Sequence, residues 1–266
     1  MPRDVVSSAP RPEGLEPLIR LSNVTKEYNS GANLVRAVRP ASLTLEAGEF
    51  VLLQGMSGSG KTTLLSIMGC LLKPSAGQIF ICGKDVTKMS EGQLPGLRLK
   101  HIGFIFQTFN LFPALTAFHN VALALKLKGY GWGERRRQSK RLLERVGLSA
   151  CMNRKPGELS GGQRQRVCIA RALAGNVDLI LADEPTAALD TTTGLSIMEL
   201  LKEEVHTGNK AAFVVTHDPR LERFATRVDH ITDGILTTGA PLKPQVSTTS
   251  TDSGVFPNPT LEHVPA

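Results

Sequence analysis

The sequence predicts an α/β protein with a mostly parallel sheet and a helical insertion, and three observations carry that expectation. Short apolar runs of strand character alternate with stretches of helical periodicity. One run, Phe50-Val51-Leu52-Leu53, leads into Gly55-Met56-Ser57-Gly58-Ser59-Gly60-Lys61-Thr62, which fits G-x-x-x-x-G-K-[ST] in full and opens the amphipathic segment Thr63 to Met68. Another run, Leu179-Ile180-Leu181-Ala182, ends in two adjacent carboxylates, Asp183 and Glu184.

Taken in chain order, residues 1–16 are rich in Pro, Ser and charge and are expected to form a disordered tail. The Pro, Ser and Thr content of 241–266 reads the same way, which leaves a folded domain over 17–240. Strands are expected at Ile19 to Tyr28, Ser42 to Leu45 and Phe50 to Leu53, and the first helix follows the glycine-rich loop. A further strand is expected at Gln78 to Cys82, and Ile102-Gly103-Phe104-Ile105-Phe106 reads as a buried one. The stretch 115–148 is mainly helical and lies in a helical subdomain of about 108–160. A helix over Arg164 to Leu173, a strand at Leu179 to Ala182, a helix over Gly194 to Val205 and a strand at Phe213 to Val215 complete the alternation.

Composition narrows the function classes. With 266 residues, 41% hydrophobic and 21% charged, the chain can bury a substantial core. No apolar run has the length of a membrane span, and Met1-Pro2-Arg3-Asp4 does not lead into a signal core, so a cytoplasmic location is expected. The four cysteines, Cys70, Cys82, Cys151 and Cys168, form no C-x-x-C pair and have no histidine nearby in sequence at ligand spacing, so reduced, mostly buried thiols are expected. The net charge of +7 is densest at Arg135-Arg136-Arg137, Lys140 and Arg141, in a helical pattern that also carries Glu134 and Glu144. No aromatic residues interleave with those charges, which argues for a solvated helix face and against nucleic acid.

The chemistry-bearing residues fall into three groups. In the glycine-rich loop, Gly55, Ser57, Gly58, Ser59 and Gly60 let backbone N–H groups turn inward at a helix N-terminus, where a triphosphate is most negative. Lys61 is placed to reach the β- and γ-phosphates, Thr62 to ligate Mg²⁺ and Thr63 to add a phosphate hydrogen bond. At the strand end, Asp183 is expected in the Mg²⁺ shell, and Glu184, on the other side by strand alternation, is expected to face the attacking water as general base. The third group is Ser160-Gly161-Gly162-Gln163, where Ser160 as N-cap and Gln163 as third helical residue have capping-box spacing. Alone it is equally an ordinary helix start; beside a phosphate loop it is a second anion site, which two chains arranged head to tail could share.

These motifs, in this order, resemble the nucleotide-binding subunit of ATP-binding-cassette (ABC) transporters over roughly residues 18–238. The resemblance implies a P-loop NTPase core with an N-terminal antiparallel β subdomain. It implies that Tyr28 stacks on adenine, that Gln107 senses Mg²⁺ and water, and that Ser160, Gly162 and Gln163 meet the partner chain's γ-phosphate. It further implies that Asp190 communicates across the dimer and that His217 contacts the γ-phosphate. In isolation each has a plainer explanation: Tyr28 as a sheet-edge cover, Gln107 as a polar loop residue and His217 as a buried, backbone-bonded histidine.

Gly69-Cys70-Leu71-Leu72-Lys73-Pro74, the strand leading to Gln107, and Phe109 to Ala117 look most like the macrolide-export and lipoprotein-release group. Met56 stands where a proline is common, His119 where a glutamate is common, and Ala187 to Asp190 replaces a more usual form. The implied function is an ATPase that closes as a homodimer around two ATP molecules and drives export or lipid/lipoprotein extraction through a separate permease-like subunit, held peripherally on the inner face of the membrane. A regulatory ATPase driving an extracytoplasmic effector, such as a cell-division complex, is the alternative. A soluble cassette protein of translation or DNA repair is disfavoured by the single nucleotide domain and the lack of a long coiled-coil insertion.

Overall fold

The computed structural model describes residues 16–30 and 33–242. The two expected tails lie almost wholly outside these residues. The folded part does run past the expected boundary at 240, because Pro241 bridges to Arg227 and the Leu242 amide donates to the Thr226 carbonyl at 2.7 Å.

Two sheets share the core. The first is antiparallel, in the order β2-β1-β4-β5, from β1 (Ile19–Ser30), β2 (Asn33–Leu45), β4 (Ala76–Ile81) and β5 (Lys84–Asp85). The second has the order β10-β9-β3-β8-β7-β6, from β3 (Phe50–Gln54), β6 (Ile102–Ile105), β7 (Leu179–Asp183), β8 (Ala211–Val215), β9 (Arg227–Thr232) and β10 (Ile235–Thr237). All its neighbours are parallel except β10, which closes one edge as an antiparallel hairpin on β9.

Side-chain alternation divides the second sheet between two apolar layers. Phe50, Leu52, Ile180, Ala182, Ala212 and Val214 face one layer, and Val51, Leu53, Leu179, Leu181, Phe213 and Val215 face the other. Both layers are buried, which is why these strands read as unbroken apolar runs rather than as alternating ones. Helix α1 (Lys61–Met68) and the antiparallel sheet cover the second layer, and α2 (Leu94–His101) adds Leu94 and Leu97 to it. Helices α3 (Ala117–Leu127), α4 (Trp132–Arg145), α5 (Gly161–Ala172) and α6 (Thr191–Gly208) contribute to the first.

Several elements depart from expectation for local reasons. The helical stretch 115–148 is two helices, because Gly129 takes φ 85 and turns the chain between them. Helix α2 was not legible: Pro95 and Gly96 sit in its first turn, where proline is tolerated but weakens the helical pattern. Strand β2 begins at Asn33 rather than Ser42, since Arg36, Arg39 and Pro40 interrupt its apolar character. Strand β9 was missed for a related reason. Its Asp229 is fully buried, bonded to Arg227 at 2.9 Å, and Arg227 also binds Glu49 at 2.8 Å.

Candidate active site

The sheet order explains the site. Strands β3, β8, β7 and β6 are consecutive neighbours, and their C-terminal ends deliver the glycine-rich loop, His217, Asp183 with Glu184, and Gln107 to one edge. Ligands of open α/β sheets bind at this edge. The resulting cleft, about 490 Å³, is lined by Gly55, Ser57, Gly58, Gly60, Lys61, Thr62, Thr63, Gln107, Asp183, Glu184 and His217, as expected, and by Ala37 of β2, which was not expected.

The loop has its shape because side chains are sterically excluded. A Cβ on Gly60 (φ 107) would sit 2.2 Å from the Ala37 carbonyl oxygen, and one on Gly55 would sit 2.3 Å from that of Ile231. The β2 strand and the β9–β10 hairpin therefore press on the loop from outside, and the Gly234 amide donates to the Ser59 carbonyl at 3.0 Å. Ser59 is buried beneath the loop and its hydroxyl has no partner there. Lys61 at the start of α1 arches back over the loop, donating to the carbonyls of Gly55 at 2.8 Å and Met56 at 2.6 Å.

At the opposite wall, Thr62 Oγ1 donates to Asp183 Oδ2 at 3.1 Å. Burial pushes the Asp183 carboxyl above its ordinary range, against the lowering effects of the Thr62 hydroxyl and the Lys61 charge. Two hard oxygen donors at this spacing, one a carboxylate short of positive charge, fit a divalent cation such as Mg²⁺.

Glu184 reaches its place differently from the expectation. Strand alternation does not orient it, because β7 ends at Asp183 and Glu184 takes φ 48, the left-handed region that non-glycine residues rarely occupy. Its amide donates to the Val215 carbonyl at 3.0 Å, which locks the turn against the end of β8. Strained backbone of this kind persists where the surroundings over-determine it, commonly at functional sites. The turn puts Glu184 Oε1 2.7 Å from His217 Nδ1. That hydrogen bond first, and the carboxylate charge second, raise the His217 pKa above the ordinary 6.5. Glu184 is largely covered, whereas the His217 side chain is 75% exposed at the mouth of the cleft.

The structure does not bring the remaining candidates into this cleft. Ser160 caps α5 with the expected capping box: its Oγ accepts from the Gln163 amide at 3.2 Å, and its own amide donates to Gln163 Oε1 at 2.9 Å. Ser160 is exposed, Gly161 and Gly162 are partly so, and none of the four lines the cleft. Asp190 likewise caps α6, accepting from the Thr193 amide at 3.0 Å. Tyr28 lies on β1 opposite Val35, 41% exposed, with the Lys26 ammonium 5.2 Å from its ring. It does not line the cleft, so the reading as an edge cover and the reading as an adenine platform both fit its position.

Sequence reasoning missed what holds the Gln107 segment. Phe109 (φ 64) and Asn110 (φ 49) are both left-handed. Arg171 of α5 donates to the carbonyls of Phe109, at 2.9 Å, and Asn110, and the Cys168 thiol reaches the Phe109 carbonyl at 2.9 Å. The segment after Gln107 is thus tied to the helix whose other end is capped by Ser160. Nothing local to Arg171 signals this, since an arginine in an amphipathic helix ordinarily reads as surface.

Comparison with known proteins agrees with the geometry. A family described as "ABC transporter" matches residues 38–187. The chain is 47% identical over 223 residues to an uncharacterised ABC transporter ATP-binding protein of Methanocaldococcus jannaschii, MJ0796, covering 82% of this chain and 94% of that one. It is 44% identical to the macrolide export ATP-binding/permease protein MacB of Hyphomonas neptunium, over 82% of this chain and 34% of MacB. It therefore spans about a third of the MacB length. Among solved structures, a dimeric post-hydrolysis state of the cassette MJ0796 bound to ADP and Pi superposes with a TM-score of 0.82 at 43% identity, covering 85% of this chain and 99% of that one.

Proposed function

The chain belongs to the ABC transporter family, as an ATPase cassette, and from that premise we propose that it binds ATP in the cleft beside Lys61 and hydrolyses it as a homodimer to power a separate membrane subunit. The observation that carries this reading is the division of the candidate groups. One cleft gathers Lys61, Thr62, Gln107, Asp183, Glu184 and His217, while the Ser160 helix end lies outside it. A second copy turned head to tail supplies the missing helix end, and two ATP molecules fill the paired sites. MJ0796, whose structures are dimeric and in one case hold ADP and Pi, supports that arrangement.

In this reading the loop amides and Lys61 hold the β- and γ-phosphates, and Thr62 and Asp183 hold Mg²⁺, with Gln107 beside them. Bound there, Mg²⁺ neutralises phosphate charge and polarises the γ-phosphoryl group. Glu184 accepts the proton of the attacking water, and its hydrogen bond to His217 holds the two groups side by side in the cleft that also holds Lys61. His217, held toward its protonated form, places positive charge at the γ-phosphate. Positioning and charge account for the step, and no phosphoenzyme is formed. Among the described residues no helix is long and apolar enough to cross a membrane, so the mechanical output passes through another chain or segment. The similarity to MacB, a macrolide export ATP-binding/permease protein, supports export as the work done, at the inner face of the membrane.

Specific ATPase activity measured over a dilution series is the test. Activity per chain should rise with concentration, in step with dimer formation in light scattering. Constant activity from a chain that stays monomeric throughout would overturn the proposal.

A further inference from the structure

At the edge of the parallel sheet opposite the nucleotide cleft, the fold assembles a second cluster. His101 closes α2 immediately before β6, Asp178 immediately precedes β7, and Cys82 follows β4 in the turn leading to β5. No short motif links the three, and histidine spacing in the sequence argued against any metal role for the cysteines. The fold nevertheless gathers them: one ligand atom from each of Cys82, His101 and Asp178 lies within 4.8 Å of the others.

The arrangement is built rather than incidental to a surface. His101 is 7% exposed, its Nδ1 lies 2.6 Å from Asp178 Oδ2, and the Asp178 amide donates to the His101 carbonyl at 3.0 Å. The ring's other nitrogen, Nε2, is buried with no hydrogen-bond partner. Since Nε2 lies across the ring from the contact with Asp178, the nitrogen that faces the carboxylate and can act as a ligand beside it is Nδ1. Cys82 forms no disulfide, and like Asp178 it is only partly buried, so the cluster can be reached from solvent.

We propose that Cys82, His101 and Asp178 form a binding site for a thiophilic divalent cation of the Zn²⁺ class, with solvent as the fourth ligand. The donor set selects the metal. One thiolate, one imidazole and one carboxylate are the ligands of tetrahedral zinc, whereas the hard Mg²⁺ of a nucleotide site takes oxygen donors only. Binding releases the thiol proton of Cys82 and the proton shared between Nδ1 and Asp178, leaving a neutral imidazole protonated at Nε2, so the charge of the cation is offset by the two anionic ligands. The site ties three pieces that the chain brings together from far apart: the antiparallel sheet through Cys82, the end of α2 through His101, and the parallel sheet through Asp178. A metal here acts as a staple between the two sheets and has no part in the hydrolytic step.

Cobalt(II) titration of the full-length chain, freed of any affinity tag and stripped by a chelator, tests this directly. One equivalent of Co²⁺ should produce a thiolate-to-metal charge-transfer band with intense tetrahedral d–d absorption, and Zn²⁺ should displace both. Saturating Mg²⁺ and ATP should leave the spectrum in place. Cys82→Ser should abolish the charge-transfer band, and Asp178→Asn should weaken binding by roughly tenfold or more, while Cys151→Ser retains the full spectrum. A featureless octahedral Co²⁺ spectrum from the unsubstituted chain, which needs no variant to fold, would overturn the proposal. So would a band that survives Cys82→Ser.

Discussion

Replacing Glu184 with glutamine probes the proposed hydrolytic centre most sharply. The amide has the same shape and keeps an oxygen where Glu184 Oε1 now lies 2.7 Å from His217 Nδ1, so the turn held by the Val215 carbonyl should survive. Only the charge and the proton-accepting capacity are lost. General-base catalysis contributes about 10² to 10⁴ in rate, so turnover should fall by that factor, or about 2.7 to 5.4 kcal/mol of transition-state stabilisation. ATP affinity should persist, and the variant should accumulate as an ATP-bound dimer in size-exclusion chromatography.

The same substitution carries a second readout. The His217 pKa is raised by the hydrogen bond to Glu184 and by its charge, so in the variant it should drop back toward the ordinary 6.5, as followed by the imidazole signals in NMR. The sign for stability follows from linkage. A raised folded-state pKa gives a contribution that is whole below the unfolded value and is lost as pH rises through the folded one. The stability difference between wild type and variant from this pair should therefore narrow as the solution becomes alkaline. Turnover within about threefold of wild type in phosphate-release assays, with the protein folded and ATP bound, would refute the base assignment. An unchanged His217 titration would refute the coupling.

Other outcomes follow from the same geometry. Lys61→Ala should weaken ATP binding by about tenfold or more, as expected when a hydrogen bond to a charged group is lost; equal affinity by filter binding would count against the phosphate loop. Gly60→Ala should cost about 1 to 3 kcal/mol in denaturant midpoint, because its Cβ meets the Ala37 carbonyl at 2.2 Å and its φ is 107. Gly96→Ala, with nothing within 4 Å of the new methyl in α2, should instead stabilise by about 0.5 to 1 kcal/mol. Glu204 accepts from both Arg145 and Lys210, whose side chain is 9% exposed, so Glu204→Ala leaves a buried ammonium unpaired and should cost about 3 to 5 kcal/mol in thermal unfolding. Burial opposes ionisation of Glu204, but its two cationic partners outweigh it and hold the carboxyl below the ordinary 4.5. Its contribution should be complete above pH 4.5 and fade as pH falls through the depressed folded value.

The parts of this molecule that could be read from the chain are those whose physics is short-ranged. The glycine-rich loop, the capping box at Ser160 and the apolar strands before Asp183 and Lys61 each complete their chemistry within about ten residues, so spacing alone identifies them. Elements whose stability comes from distant partners were hidden. Strand β9 carries charge that looks exposed until Arg227 finds Asp229 and Glu49, and β2 gains its length from pairing along β1. The position of Glu184 was anticipated with the wrong cause, since the left-handed turn depends on a hydrogen bond to β8, which lies beyond the whole of α6 in the chain.

Local sequence thus determined which groups the protein owns and the family to which it belongs. The order β3-β8-β7-β6 decided that Lys61, His217, Glu184 and Gln107 share one cleft, and the opposite ends of β6 and β7 decided that His101 and Asp178 meet Cys82. The reason is that strand order is selected by burial of both sheet faces over the whole domain, a sum of many weak contacts that no short segment records.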